Sequence, residues 1–116
     1  MENYELPESV MLVRLFPSDP KISEELKELN ENLGQKSDCD VVLDFSNVEI
    51  INSSNISNLL ILRALVEDHG RKLFLYNVRT ITKCIFVVAG LSDFFVFIDE
   101  MKDVIKELQN EVCTKK

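Results

Sequence analysis

The sequence predicts a single α/β domain in which a mixed, mostly parallel β-sheet is flanked by helices. Three apolar segments bounded by turn residues have the composition of buried strands, and they lie at residues 41–45, 72–78 and 94–98. Helical patterns separate them, and strands that alternate with helices pair in parallel through right-handed crossovers. Because 116 residues leave room for one hydrophobic core, we expect one domain over residues 1–116, with its core at about 9–109.

The N-terminal part of the chain adds a strand and a helix to this pattern. Residues 9–16 are dense in apolar side chains and end at a proline, which indicates a strand, and residues 4–6 are a candidate partner strand. A helix of about 11 residues is predicted next, with Ser23 capping its start and Gly34 closing its end. Its inward face is expected to carry apolar residues at helical spacing: Ile22, Leu26, Leu29 and Leu33.

Residues 56–67 form the second predicted helix, which His69 and Gly70 end. Its apolar stripe includes Leu59 and Leu60, and both are expected in the core. A third helix is predicted over residues 80–90. Its inward face is expected to hold three aliphatic residues and a buried cysteine beside them: Ile81, Ile85, Val88 and Cys84.

A last helix is predicted after Asp99, which is expected to cap it. Four apolar residues at helical spacing are expected to face inward: Met101, Val104, Ile105 and Leu108.

The charge of the chain narrows the classes of partner. A formal net charge of −7 disfavours nucleic acid and anionic membrane surfaces, because both need a basic face. An acidic surface suits a basic protein partner instead. No run of about 18 apolar residues is present, and residues 1–10 lack the apolar core of a secretory signal. We therefore expect no membrane insertion and a cytoplasmic location.

Residue types that support catalysis or cofactor binding are sparse. Cys39, Cys84 and Cys113 are too widely spaced for a metal pair or a disulfide framework, and we expect them to be reduced. The single histidine, His69, lies beside the helix-ending glycine, where a cation suits the helix dipole. The sequence contains no HExxH motif, no phosphate-binding glycine loop and no nucleophile elbow. We predict no enzymatic activity, no cofactor and no metal.

Asp44 and Glu49 are the best candidates for an alternative, enzymatic function. Both follow or end a predicted strand, and α/β sheets place ligands at strand ends. Two acids in such positions more often lie on a solvated edge. They leave open a small enzyme or ligand-binding domain, which is not the favoured interpretation.

The segment INSSNIS, residues 51–57, is polar between two apolar segments and has two interpretations. Asn and Ser are preferred helix caps, and losing such a cap costs about 1 kcal/mol. One cap is sufficient, however, and four candidates stand in a row. A helix N-terminus also tolerates a phosphate, so a serine here can be a modification site.

Several segments of the chain occur together in the order and spacing of a known family. They are VVLDFSNVEIINSSN, HGRKLFLYNV and AGLSDFF. Together they resemble the STAS domain of bacterial anti-sigma factor antagonists, from about residue 10 to residue 108. In that family the motif V-x-x-x-D-S-S/T-G ends a strand and opens a helix. This chain has Asn52 in place of the motif aspartate, Asn55 in place of the glycine, and Ser57 in place of a second glycine.

The resemblance implies a function in partner switching. The unmodified domain binds an anti-sigma factor, usually a serine kinase, and so frees a sigma factor. Phosphorylation of the serine after the motif aspartate blocks binding, and a phosphatase restores it. By position that serine is Ser53. The implied contact surface is the second helix and its preceding loop, expected to expose polar groups: Asn52, Ser53, Ser54, Asn55, Ser57, Asn58 and Arg63.

A second function of the same fold stays open at this level. The chain is then a STAS subunit of a lipid-transport ATPase, or a signalling scaffold, that works without phosphorylation. The sequence also leaves open whether the protein forms a homodimer.

Overall fold

The computed structural model describes the backbone of residues 9–35 and 39–114, and the side chains of residues 9–33 and 39–108. The candidate strand at residues 4–6 and the side chain of Cys113 lie outside these ranges. In chain order, the described elements are β1 (Val10–Arg14), α1 (Lys21–Gln35), β2 (Asp40–Asp44), α2 (Ser53–Asp68), β3 (Leu73–Tyr76), α3 (Thr80–Val88), a 3₁₀ turn (Ser92–Phe94), β4 (Val96–Ile98) and α4 (Met101–Thr114).

The four strands form one sheet in the order β1-β2-β3-β4. Each described pairing is parallel, so the predicted α/β fold with a mostly parallel sheet is confirmed. The register aligns Val13 with Leu43, Leu43 with Leu75, and Leu75 with Phe97. Because all four strands run in the same direction, the loops that follow them leave from one end of the sheet.

Alternate residues of the central strands point into two hydrophobic clusters, one on each face of the sheet. Leu43 and Leu75 belong to the larger cluster, which the inner faces of α1, α2 and α3 complete. Val42 and Phe74 point to the opposite face, where Val104 of α4 covers them. The sheet therefore has α1, α2 and α3 on one face and α4 on the other. All four residues predicted for the inner face of α1 are buried: Ile22, Leu26, Leu29 and Leu33.

The limits of α1 differ from the prediction. The helix begins at Lys21, two residues before Ser23, and it runs through Gly34 to Gln35. Ser23 does not cap the helix; its backbone N–H and its hydroxyl both donate to the carboxylate of Asp19. An acid before the first turn supplies the acceptor that those free N–H groups need.

The predicted inner face of α3 is wrong for three of its four residues, whereas Ile85 packs against the larger cluster as predicted. Ile81 and Val88 are 70% and 87% exposed, and Cys84 is exposed rather than buried. The helix instead buries Phe86, whose ring makes edge-to-face contacts with two others. The ring centres lie 5.3 Å apart for Phe95 and 5.5 Å apart for Phe97 of β4. Apolar residues lie on every side of α3, so their periodicity does not select the buried face. The contact of Phe86 with two aromatic rings determines which face is buried.

The C-terminal elements follow the prediction with shifted limits. β4 is shorter than predicted, because Phe94 belongs to the preceding 3₁₀ turn. Asp99 pairs with Lys83, with 3.6 Å between the carboxylate and Nζ, and the last helix begins two residues later at Met101. Val104 is fully buried. Met101 and Leu108 pack against its cluster as predicted, and Ile105 is half-buried.

Replacing Phe86 by Ala should lower the free energy of unfolding by about 3–5 kcal/mol, because it removes a buried ring from between two others. The matched variant Ile81→Ala, on the exposed side of the same helix, should change it by less than about 0.5 kcal/mol. Urea denaturation followed by circular dichroism measures both. A larger loss for Ile81→Ala than for Phe86→Ala would mean that α3 is rotated from the described orientation.

Candidate protein-binding site

The segment between β2 and α2 is held down by apolar side chains, which fix where α2 starts. Phe45, Val48 and Ile51 are buried in the larger hydrophobic cluster. Asn52 then adopts an extended backbone, with φ −129° and ψ 179°, and the helix begins at Ser53. The polar segment thus reaches the surface only after three anchoring residues.

Two asparagines cap α2 reciprocally. Asn52 Oδ1 accepts from the backbone N–H of Asn55 at 2.9 Å, and Asn55 Oδ1 accepts from the backbone N–H of Asn52 at 3.0 Å. This is the geometry of a capping box, with asparagine in both positions. The structural interpretation of this segment is therefore correct for Asn52 and Asn55, and the serines between them are not needed as caps.

A carboxylate from a distant part of the sequence completes the start of α2. Asp19 lies in the loop after β1, 33 positions before Asn52, and its Oδ2 accepts from Asn52 Nδ2 at 2.6 Å. Its Oδ1 accepts from Asn55 Nδ2 at 2.9 Å and from the Ser23 N–H at 2.9 Å. Asp19 therefore joins the first turn of α1 to the first turn of α2. We call these four residues, Asp19, Ser23, Asn52 and Asn55, the Asp19 network.

The Asp19 network favours the ionised carboxylate. The hydrogen bond from Asn55 and then that from Asn52 are the largest causes, and with the donors of Ser23 they lower the pKa of Asp19 from 3.8 to about 2. Partial burial opposes this shift without reversing it. Near neutral pH the start of α2 therefore has a fixed negative charge beside it.

The structure separates six of the seven predicted contact residues into two groups, and Arg63 is half-buried. Asn52, Ser53, Ser54 and Ser57 are exposed. Asn55 and Asn58 are only 1% and 9% exposed, so the expectation that all of residues 52–58 offer polar groups to a partner is wrong for these two. Asn55 is turned inward by the cap and Asp19, and Asn58 lies where α1 packs, its carbonyl accepting from Asn30 Nδ2 at 3.2 Å.

Arg63, two turns further along α2, is half-buried. Its Nε lies 3.4 Å from a carboxylate oxygen of Glu67, and its guanidinium carbon lies 5.0 Å from the centre of the Phe94 ring. Phe94 is itself 45% exposed. Arg63 thus lies at the surface against an aromatic ring, an arrangement that protein interfaces often use.

The two acids considered for catalysis have separate environments. Asp44 is buried and accepts from Arg14 Nε at 3.1 Å and from the Ser46 N–H at 2.9 Å, as a structural carboxylate does. Glu49 is exposed. His69 is exposed beyond the end of α2, with Nδ1 2.9 Å from the Leu65 carbonyl.

Over the part of the chain that the structure describes, no cluster of His, Cys, Asp or Glu side chains can hold a metal ion. Nor is any described helix long and apolar enough to cross a membrane.

Comparison with known proteins agrees with this architecture. The family model of the STAS domain matches residues 9–108. The chain belongs to the STAS domain family. Among curated proteins, none matches the STAS chain by sequence.

Solved structures share the fold at low sequence identity. The anti-sigma factor antagonist SpoIIAA in its unphosphorylated form has a TM-score of 0.74 at 16% identity, covering 92% of this chain and 94% of that one. The Bacillus cell fate determinant SpoIIAA in its phosphorylated form has 0.68 at 16%, covering 90% and 96%. An anti-sigma factor antagonist (STAS) domain protein from Planctomyces limnophilus has 0.69 at 12%, covering 84% and 89%.

Asn52 and Asn55 form a matched set with Asp19. An aspartate at position 52 would put a second carboxylate against that of Asp19, whereas Asn52 donates to it. A glycine at position 55 would remove another donor and one half of the cap. Asp19 is the residue of this site that sequence reasoning missed, since nothing in the local pattern links it to residues 33 and 36 positions away.

Replacing Asp19 by Asn should destabilise the protein near neutral pH, because the new amide brings N–H groups against those of Asn52 and Asn55. The pKa of Asp19 is depressed in the fold, so its stabilisation is present above about pH 4 and is lost as pH falls through about 2. The difference in urea midpoint between the native protein and Asp19→Asn should therefore shrink over that range.

Asp68→Asn is the matched control, since it removes the same charge from an exposed position at the end of α2. Its midpoint should stay close to that of the native protein throughout the pH series. If Asp19→Asn and Asp68→Asn gave the same midpoints at every pH, the hydrogen bonds to Asp19 would not contribute to stability.

Proposed function

We propose that this STAS domain is an anti-sigma factor antagonist-type binding module in a partner-switching system, controlled by phosphorylation of Ser53. One observation carries the proposal. The exposed Ser53 is the first residue of α2, while Asn52 and Asn55 supply the helix cap. The Ser53 hydroxyl is therefore accessible to a kinase without having a structural function of its own.

The local electrostatics support a switch that acts on binding rather than on folding. A phosphate carries about −1.5 to −2 charges at neutral pH, and a helix N-terminus accommodates such an anion. The Ser53 side chain is already in solvent, so its modification buries no charge. In this proposal the added charge and bulk displace a docked partner, an anti-sigma factor that is also the serine kinase, and a phosphatase restores binding.

The proposed contact surface consists of the exposed polar residues at the start of α2 together with Arg63. Asn55 and Asn58 lie buried beneath this surface and do not belong to it. A surface of small polar side chains suits a reversible contact more than an obligate interface, because it lacks a large apolar centre. The net charge of −7 favours a basic partner surface. We further propose that the domain works in the cytoplasm without a cofactor, without nucleic acid and without catalysis of its own.

One observation favours a second function, that of a STAS subunit of a lipid-transport ATPase or a scaffold without phosphorylation. Asp19 already places a carboxylate 2.6 Å from the side chain of Asn52, the residue before Ser53. A phosphate on Ser53 would add charge of the same sign nearby. The second function needs the same surface and leaves Ser53 unmodified.

Mass spectrometry of the protein from its native cells separates the two functions. Trypsin releases residues 37–63 as one peptide, which holds all the candidate serines. We expect a mass increase of one phosphate on this peptide, located at Ser53, and its loss in Ser53→Ala but not in Ser57→Ala. An unmodified peptide in cells under several stresses would reject the switch and leave the scaffold or transporter function.

Binding to a captured partner gives the complementary test. Ser53→Asp should weaken binding at least tenfold while the circular dichroism spectrum stays unchanged, because an exposed charge at a helix start does not alter the helix. Ser53→Ala should bind as the native protein does. If Ser53→Asp bound with native affinity, the start of α2 would not be the contact surface.

A further inference from the structure

The carboxylate of Asp19 serves the first turns of two helices at once. On the α1 side it accepts from the Ser23 N–H at 2.9 Å, and on the α2 side it accepts from Asn52 at 2.6 Å and Asn55 at 2.9 Å. Each helix start carries about half a positive charge, so both favour an anion between them. The same carboxylate is thus a shared counter-charge for α1 and α2.

Ser53 lies close enough to this counter-charge to interact with it. It follows Asn52 by one Cα step of about 3.8 Å, and Asn52 reaches Asp19 through its side chain and a hydrogen bond of 2.6 Å. Adding the length of that side chain places Asp19 within about 10 Å of Ser53. The Debye length at physiological ionic strength is about 8 Å, close to this upper limit, so screening reduces the interaction between the two sites without removing it.

We infer that Asp19 is a positioning residue of the Ser53 site: it opposes negative charge added at Ser53 and transmits that opposition to the start of α1. The inference rests on the proposed phosphorylation of Ser53. A phosphate there meets two opposing influences, attraction to the first turn of α2 and repulsion from Asp19. Its oxygens also compete with Asp19 for the amide groups of Asn52 and Asn55. Weakening those bonds loosens the carboxylate that holds Ser23.

A double-mutant cycle tests the opposition directly. Phosphoserine is installed at position 53 by stop-codon suppression, in the native background and in Asp19→Asn, and the urea midpoints of the four proteins are compared. The shift caused by phosphoserine should be more destabilising in the native background than in Asp19→Asn. That difference should shrink at about 1 M NaCl, where the Debye length falls to about 3 Å. Equal shifts in the two backgrounds would overturn the inference.

Phosphoserine at position 57 is the matched control. Ser57 is also exposed on α2 but lies one turn further from the Asp19 network. Its midpoint shift should be the same in both backgrounds. A background dependence as large at position 57 as at position 53 would mean that Asp19 acts through the net charge of the protein and not through this network.

The amide resonance of Ser23 reports whether the effect reaches α1. Its N–H donates to Asp19, so its chemical shift should move when phosphoserine stands at position 53 and stay unchanged when it stands at position 57. An unmoved Ser23 resonance with phosphoserine at 53 would overturn the transmission to α1. Because the phosphoserine is installed directly, these measurements do not depend on a cellular kinase. An unphosphorylated Ser53 in cells would reject the proposed switch while leaving this coupling intact.

Discussion

The complete burial of β2 is the constraint on which the rest of the structure depends. All five residues of this strand are buried, including an aspartate at each end. A buried carboxylate without a partner is strongly destabilising, so each end must meet a donor. Asp40 accepts from Arg71 at 3.1 Å and from the Lys72 N–H at 2.7 Å, and Asp44 accepts from Arg14 at 3.1 Å. The two acids thereby tie β2 to both neighbouring strands and fix where the chain leaves the sheet.

The position of Ser53 follows from that fixed exit. The chain after β2 is anchored in the core by Val48 and Ile51 before the cap begins at Asn52. Few backbone conformations remain for residues 49–50, because the buried side chains of Val48 and Ile51 lie on either side of them. The start of α2 is therefore held in position by buried residues that precede it, although the segment itself is polar. A small polar surface can bind specifically when its geometry is set in advance, since little conformational entropy is then lost on binding.

The sequence predicts the elements of this structure where the pattern of apolar residues allows only one arrangement. The strands around residues 41–45 and 72–78 and the inner face of α1 are of this kind, because polar and apolar residues are clearly divided there. α3 is not, since its six apolar residues, out of nine, lie on all sides of the helix and only the contact of Phe86 with two aromatic rings selects a face. The cap at Asn52 is local and predictable. Asp19 is not, because its bonds span 33 and 36 positions and depend on how α1 packs against α2.

The negative charge beside the start of α2 comes from a distant part of the chain. The cap residue Asn52 carries an amide, and the carboxylate comes from Asp19 in the loop before α1. A charge in the cap affects one helix, but Asp19 is bonded to the first turns of two. Asp19 therefore joins the start of α2 to the start of α1 through bonds of 2.6 to 2.9 Å. Asn52 and Asn55 are thus the residues through which we expect charge at Ser53 to reach α1.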